Sequence, residues 1–220
     1  YKNFEIILVN DQPELEAQNY LKEISKIDSR IRIIENKKNL GAGDSRNKAI
    51  SFAKGDYIAF CDCDDLWNKT KLEKQIKFMK DSNITFSFTA YEVINEKGLK
   101  IGLREAQKKI DFKKLKYSCD IGLSTVIIKK EIFQDNTLLF APLKTKEDFV
   151  LWLKMAEKGI ELFGLNENLS SWRKSSNSLS SSISQKLFDG YKVYRIYLNY
   201  SRIKSLIYLI ILSINFILKR

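Results

Sequence analysis

Short apolar runs alternate with amphipathic stretches along most of the chain, which is typical of an α/β protein. Residues 4–9 and 31–35 are rich in branched side chains, as expected for strands that are covered on both faces. Pro13 opens a predicted helix between them, with a buried stripe at positions 17, 21, 24 and 27. A strand, a helix and a strand at this spacing predict a right-handed parallel unit that binds ligands beyond the carboxyl ends of its strands.

The alternation continues towards the C-terminus. Helices are predicted over residues 44–54, 70–79, 147–158 and 187–198, and strands over residues 57–61, 84–91, 123–128 and 160–165. Residues 99–117 are basic and weakly patterned, and they predict a mobile loop or a short helix. Residues 170–182 predict a serine-rich loop. We expect one α/β domain over residues 1–183, followed by a C-terminal helix and tail over residues 184–220.

Three carboxylates follow the central predicted strand within four positions: Asp62, Asp64 and Asp65. Uncompensated aspartates repel one another, so they are tolerated chiefly where a cation lies between them and an anionic ligand. Asp11 ends the first strand and would point to the same edge of the sheet. The pattern predicts a site for a metal ion and a nucleotide diphosphate. A solvated acidic turn that caps the next helix is the alternative interpretation.

The charge of the chain is concentrated near its end. There are 38 Lys and Arg against 27 Asp and Glu, a net charge of +11, and Asp189 is the one acid from position 186 onwards. The apolar run 206–218 is shorter than the roughly 20 residues of a spanning helix, so we expect it to lie on an anionic membrane surface. The tyrosines near position 194 would also suit nucleic-acid stacking, but core packing beside an apolar segment explains them better.

Cysteine and histidine are scarce, with three cysteines and no histidine in the chain. These numbers argue against a zinc site or a disulfide framework and favour a reduced, cytosolic protein.

Several motifs occur in order along the chain. They are Val9-Asn10-Asp11, Asn39-Leu40-Gly41, Ser45-Arg46-Asn47, Gly55-Asp56-Tyr57-Ile58-Ala59-Phe60, Asp62-Cys63-Asp64-Asp65 with Trp67, Lys71-Leu72-Glu73, and Glu147-Asp148. In this order and spacing they resemble glycosyltransferase family 2, the inverting nucleotide-sugar enzymes of bacterial surface-polysaccharide synthesis. The resemblance implies the Rossmann-like GT-A fold, a mostly parallel sheet flanked by helices, with Mn²⁺ or Mg²⁺ as cofactor.

The resemblance also implies roles for individual residues. Asp148 would be the catalytic base and Asp64 the metal ligand, while substrate would be bound by Asp11, Asn39, Arg46, Asp62, Glu147, Trp172 and Arg173. In a strand of period two, Asp62 and Asp64 lie on the same side, and a helix amino end keeps Asp148 ionised. The alternatives are helix capping for Asp148, with Glu147 as the operative group, and a surface role for Arg46.

Two departures from the family pattern concern the start of the fold and one loop. The family begins with one more strand in the centre of the sheet, so either a preceding segment supplies it, which we favour, or the sheet has a gap. A histidine that often follows an aromatic-Arg pair is Ser175 here.

The predicted function is hexosyl or N-acetylhexosaminyl transfer from a nucleotide-diphosphate sugar. A UDP-sugar is the donor that we favour. The acceptor would be a glycan or a lipid-linked glycan, and the protein would lie in the cytoplasm against the inner face of the cell membrane. An inactive relative that binds a nucleotide or a glycan as a scaffold is the alternative. No nucleic-acid partner is predicted.

Overall fold

The computed structural model describes residues 1–12, 14–175 and 182–218. Its strands are β1 (Ile6–Asn10), β2 (Ile31–Glu35), β3 (Tyr57–Ala59), β4 (Leu66–Trp67), β5 (Phe86–Ile94), β6 (Lys100–Arg104), β7 (Lys109–Ile110), β8 (Ile127–Lys129) and β9 (Leu162–Arg173). Its α-helices are α1 (Leu15–Ile27), α2 (Ala42–Phe52), α3 (Lys71–Asp81), α4 (Phe112–Leu115), α5 (Glu147–Glu157), α6 (Ile183–Lys192) and α7 (Arg202–Leu218).

Seven strands form the main sheet, in the order β3-β8-β5-β9-β4, with β6 paired to β5 and β7 paired to β9. β5 and β9 are parallel, whereas β8 is antiparallel to both β3 and β5. The predicted α/β class, with a central sheet and flanking helices, is confirmed. The sheet is mixed rather than mostly parallel, because the chain passes from β5 to β8 through β6, β7, the four-residue helix α4 and a 3₁₀ turn, without the long helical crossover that links parallel neighbours.

The strands β1 and β2 form a separate parallel pair, as the strand–helix–strand pattern predicts. In the part of the chain that the structure describes, no ladder of hydrogen bonds joins this pair to the main sheet. The described residues therefore form two separate sheets, and what lies between them in the family fold stays a prediction. Helix α1 covers the small pair without fully burying any of its residues. Of the predicted stripe, Ala17, Leu21 and Ile24 are half-buried, but Ile27 is 80% exposed, so the stripe is shorter and shallower than predicted. Pro13 lies outside the described residues.

Helix α5 lies in the centre of the molecule, and seven of its eleven residues are buried. Its Trp152 is fully buried and contacts the rings of Phe86, Phe60 and Phe140 at centroid distances of 5.0, 6.4 and 6.1 Å. The apolar spacing in residues 147–158 predicts Leu151, Trp152 and Met155 as inward positions, and all three are fully buried. Because burying large aromatic and aliphatic side chains is the main stabilising contribution to a fold, the start of α5 is held rigidly.

Two predicted loops are partly strands. Residues 99–117 contain the short helix α4, but also β6 and β7, whose exposed and basic residues hide the strand pattern. The strand β9 runs on to Arg173, so residues 170–173 of the predicted serine-rich loop are paired with β4 and β5. Residues 176–181 of that loop lie outside the described part of the chain.

The C-terminal helices pack on the main core. Helix α6 begins and ends earlier than predicted, and a π-helical turn, Val193–Tyr197, follows it. Val193 and Tyr194 are completely buried, and Leu212 of α7 joins the same apolar cluster. Among the described residues, no helix combines the length and the apolarity that crossing a bilayer requires.

Candidate active site

A cavity of about 1040 Å³ lies at the edge of the sheet where the sequence predicts a site. It is lined by seven of the nine predicted site residues: Arg46, Asp62, Asp64, Glu147, Asp148, Trp172 and Arg173. These residues come from helix α2, the turn after β3, the start of α5 and the end of β9. Asp11 and Asn39 are not among its lining residues.

Arg46 connects the two acidic parts of the cavity. One guanidinium nitrogen, Nη1, donates to Glu147 Oε1 at 2.6 Å, and the other, Nη2, donates to Asp62 Oδ1 at 2.7 Å. Its side chain is 20% exposed, and its guanidinium also lies 5.6 Å from the centre of the Phe140 ring. Charge-assisted hydrogen bonds of this kind are short and strong, so Arg46 sets the position of both carboxylates.

The position of Arg46 depends on a close approach of α2 to residues 140 and 141. A Cβ atom at Gly43 would lie only 2.6 Å from the carbonyl oxygen of Ala141, so a larger residue would push the helix away. Asn47 donates to the carbonyl of Phe140 at 3.0 Å and accepts from its N–H at 2.9 Å. Gly43 thus allows the close packing of α2 that positions Arg46.

Asp11 organises the turn that precedes α2. Its carboxylate accepts hydrogen bonds from the backbone N–H groups of Leu40 and Gly41 and from the side chain of Asn36, each at 2.8 Å. Burial alone would raise the pKa of Asp11, but these donors lower it below its ordinary value. Asn39 donates to the backbone carbonyl of Asp11 at 3.1 Å. The two residues are thus brought together, and contact with a nucleobase stays a prediction.

The acidic residues 62–65 form a turn. Strand β3 ends at Ala59, and the N–H of Asp65 donates to the carbonyl of Asp62 at 3.1 Å. The N–H of Asp62 donates to the hydroxyl of Ser124 at 2.9 Å, which fixes the turn to the strand β8 region. The expectation that Asp62 and Asp64 share one side of a strand is therefore wrong, although both line the cavity.

Arg173 holds this turn in place. Its N–H donates to Asp65 Oδ1 at 2.9 Å, its Nε donates to the carbonyl of Asp64 at 2.9 Å, and its Nη1 donates to the carbonyls of Asn95 and Glu96. Burial raises the pKa of Asp65, the side chain that accepts from the Arg173 N–H, to about 6. The guanidinium of Arg173 is engaged by backbone carbonyls. The neighbouring Trp172 is 39% exposed and lines the cavity. Substrate contacts of both residues remain predictions.

Glu147 and Asp148 begin helix α5. Burial, and then the negative charge of Asp148, raise the pKa of Glu147 to about 7 even though Arg46 is bound to it. Burial also raises the pKa of Asp148, whose Oδ1 accepts from the N–H of Phe149 at 2.7 Å. The helix amino end was expected to keep the pKa of Asp148 low, but burial outweighs this effect. Asp148 is therefore a stronger base than an ordinary aspartate.

The sequence interpretation missed two residues that support the start of α5. Asp189 of α6 is 1% exposed, and its Oδ2 accepts from both the N–H and the hydroxyl of Thr145, each at 3.0 Å. Thr145 precedes Lys146, which adopts a left-handed conformation with φ of 69° just before Glu147. The signal was present in the sequence, since Asp189 is the one acid in a strongly basic segment.

Comparison with known proteins gives a consistent assignment. The family profile described as "Glycosyl transferase family 2" matches residues 1–135. The chain is 35% identical over 182 residues to the putative teichuronic acid biosynthesis glycosyltransferase TuaG of Bacillus subtilis, covering 82% of this chain and 71% of that protein. It is 36% identical over 182 residues to the UDP-Glc:α-D-GlcNAc-diphosphoundecaprenol β-1,3-glucosyltransferase WfgD of Escherichia coli, covering 82% of this chain and 70% of that one.

Solved structures share the fold. The crystal structure of S. aureus TarS 1-349 in complex with UDP-GlcNAc superposes with a TM-score of 0.70 at 20% identity, over 94% of this chain and 61% of the TarS chain. This chain therefore spans about three fifths of the length of that neighbour. With the family profile and the identities to curated relatives, these findings establish that the chain belongs to glycosyltransferase family 2.

Proposed function

We propose that this chain transfers a sugar from a UDP-sugar to a lipid-linked glycan acceptor in the synthesis of a bacterial surface polysaccharide. The names of the relatives support the class of reaction, because one belongs to teichuronic acid biosynthesis and the other states a UDP-Glc donor and a diphosphoundecaprenol-linked acceptor. A structural neighbour was crystallised with UDP-GlcNAc. The sugar moved would be a hexose or an N-acetylhexosamine.

The observation that carries the proposal is that residues distant in sequence line one cavity. Asp62 and Asp64 come from the turn after β3, Glu147 and Asp148 come from the start of α5, and Arg46 is bound to Asp62 and to Glu147. A large cavity with a few converging charged groups and raised carboxyl pKa values is the usual sign of an active site.

We infer that Asp148 acts as the general base. It would take the proton of an acceptor hydroxyl as the acceptor oxygen bonds to the anomeric carbon. The bond between that carbon and the diphosphate oxygen then breaks on the opposite face, which inverts the configuration in a single displacement. The raised pKa of Asp148 favours proton transfer, and a cation-like transition state at the sugar lowers the strength that the base needs.

The residues present fit a hard divalent cation, Mn²⁺ or Mg²⁺. Asp64 is exposed at the cavity, and its carboxylate has no hydrogen bond or ion pair with the described residues. Within those residues there is no group of three or more potential metal ligands, so Asp64 would hold the ion together with diphosphate oxygens, as magnesium sites commonly do. When bound, the ion would neutralise charge on the leaving diphosphate.

We also propose that helix α7 rests on the surface of an anionic membrane. Five isoleucines at helical spacing form one exposed stripe, 50–75% exposed, at positions 203, 207, 210, 214 and 217. Arg202 and Lys204 flank the start of this stripe and would meet anionic headgroups. This location would place the active site beside a lipid-linked acceptor at the inner face of the cell membrane.

The proposed function is tested by product analysis with the full-length protein. UDP-Glc, UDP-GlcNAc and UDP-Gal are each incubated with GlcNAc-diphosphate on a short prenyl chain, with Mn²⁺, with Mg²⁺ or with EDTA. We expect a product one sugar heavier with one donor, and its loss with EDTA. Metal-independent nucleotide binding without any product would instead support the scaffold alternative.

A further inference from the structure

Ser124 is a buried serine that contacts the acidic turn of residues 62–65 at two points. It belongs to the 3₁₀ turn Leu123–Thr125, which lies just before β8. Its hydroxyl accepts from the N–H of Asp62 at 2.9 Å and donates to the carboxylate of Asp65. A hydroxyl can accept one hydrogen bond while it donates another, so this single group connects both ends of the acidic turn.

The main chain at Ser124 is itself held by side chains of β4 and α3. Its carbonyl accepts from the indole Nε1 of Trp67 at 2.7 Å. The next carbonyl, that of Thr125, accepts from Lys71 Nζ and from Gln75 Nε2, each at 3.0 Å. Lys71 and Gln75 are fully buried, and removing such polar groups from water is costly unless they are hydrogen-bonded. These contacts therefore fix the backbone that carries the Ser124 hydroxyl.

Asp64 lies between the two residues that Ser124 holds. Its backbone carbonyl accepts from Arg173 Nε, while the N–H of Arg173 donates to Asp65 Oδ1. Within the described ranges of the chain, the carboxylate of Asp64 has no hydrogen bond or ion pair of its own, and it lines the cavity. The backbone on either side thus sets the direction of this side chain, and its oxygens stay available for a ligand.

We propose that Ser124 is a positioning residue that holds the acidic turn in the geometry that Asp64 needs to bind a divalent cation. The inference rests on the proposed function, in which that ion is bound together with the diphosphate of the donor. Ser124 acts through Asp62 and Asp65 rather than through contact with the ion. Groups that orient a metal ligand matter most where the protein supplies few ligands, because ions such as Mg²⁺ demand near-ideal geometry.

The test measures binding of UDP to the full-length protein by calorimetry, once with Mn²⁺ and once with EDTA. Ser124→Ala leaves the N–H of Asp62 without its acceptor and frees the acidic turn. We expect the Kd for UDP with Mn²⁺ to rise about tenfold or more, and the Kd in EDTA to rise about threefold at most. The matched control is Ser205→Ala, which removes a fully buried hydroxyl of α7 outside the cavity and should leave both Kd values unchanged.

Hydrogen exchange followed by mass spectrometry reports on the acidic turn itself, with or without a ligand. We expect faster exchange over residues 61–66 in Ser124→Ala than in wild type, and no such difference in Ser205→Ala. Unchanged exchange would overturn the positioning role. An equal rise of both Kd values, or no rise in either, would overturn it as well.

These results keep the positioning role separate from the proposed function. If wild type binds UDP equally with Mn²⁺ and with EDTA, the metal ion of the proposed function is wrong. Faster exchange confined to the acidic turn of Ser124→Ala would then still assign Ser124 to holding that turn. If wild type shows metal-dependent binding and Ser124→Ala keeps it in full, the positioning role alone is wrong.

Discussion

At the scale of single residues, Arg46 decides how the acidic side chains of the cavity are arranged. It binds Glu147, which is 101 positions away along the chain, and Asp62, which is 16 positions away. Family motifs make each of these residues a candidate, but no local pattern shows that one arginine connects them. The link depends on the packing of α2 against Ala141, a contact that only the folded chain makes.

The raised pKa of Glu147 leads to a prediction about stability. Its pKa is about 7 in the folded protein against 4.5 for an ordinary glutamate, so the folded state binds the proton more tightly than the unfolded state. Its contribution to the unfolding free energy is therefore complete below pH 4.5 and is lost as the pH rises through about 7. Urea unfolding of wild type and Glu147→Gln at pH 5, 6, 7 and 8 measures this effect.

We expect the unfolding free energy of wild type, relative to Glu147→Gln, to fall between pH 5 and 8. Glu157→Gln is the matched control, since this residue lies at the exposed end of the same helix, and its difference from wild type should be flat. A difference for Glu147→Gln that stays constant or grows with pH would contradict the raised pKa.

At the scale of elements, the start of α5 is fixed from both sides. Trp152 anchors the helix in the core, and Asp189 of α6 binds the preceding Thr145 through two hydrogen bonds. The buried face of α5 follows from apolar residues in the sequence, and it was predicted correctly. The role of α6 was missed, because a buried aspartate that binds a backbone N–H leaves no periodic signal, and only its isolation as one acid in a basic segment sets Asp189 apart.

We expect Asp189→Ala to lower kcat about tenfold or more and to change the donor KM less than twofold. The substitution leaves the Thr145 N–H and hydroxyl without their partner, which costs about 1–3 kcal/mol and loosens the segment that positions Asp148. Steady-state kinetics measure the effect, and Asp189→Asn, which keeps one acceptor oxygen, should restore part of kcat.

Gln185→Ala provides the comparison for Asp189→Ala. It removes the 2.9 Å contact between Gln185 Nε2 and Asp189 but keeps both contacts with Thr145. It should leave kcat near that of wild type. A purely structural role of Asp189 would show as lower thermal stability in Asp189→Ala with kcat unchanged.

At the scale of the whole molecule, the main sheet, the cavity and the C-terminal helices form one packed unit. Motif order predicted the fold class, and seven of the nine site residues that it singled out line the cavity. The mixed sheet and the strands β6 and β7 were missed, because short exposed strands with basic residues carry little hydrophobic periodicity. Leu212 is buried, so removing α7 would expose core surface, and point variants test its membrane role more cleanly than a deletion.

We expect Ile207→Glu with Ile214→Glu to weaken binding to anionic vesicles at least tenfold. Both side chains are 50% exposed, so the fold should tolerate the changes, while each loses apolar contact with lipid and gains a repelled charge. Vesicle sedimentation measures the binding, and thermal unfolding checks the fold. The control, Leu15→Glu with Ile27→Glu on α1, should bind like wild type, and equal binding by the α7 variant would refute the membrane contact.

The most direct test of the central claim is the turnover of Asp148→Asn with the donor and acceptor identified by product analysis. The amide keeps the size of the side chain and can still accept the hydrogen bond from Phe149, but it cannot take a proton. We expect kcat to fall about 10²–10⁴-fold while the donor Kd changes less than twofold, and Asp56→Asn, outside the cavity, to behave like wild type. Turnover by Asp148→Asn above a tenth of the wild-type rate would contradict the account.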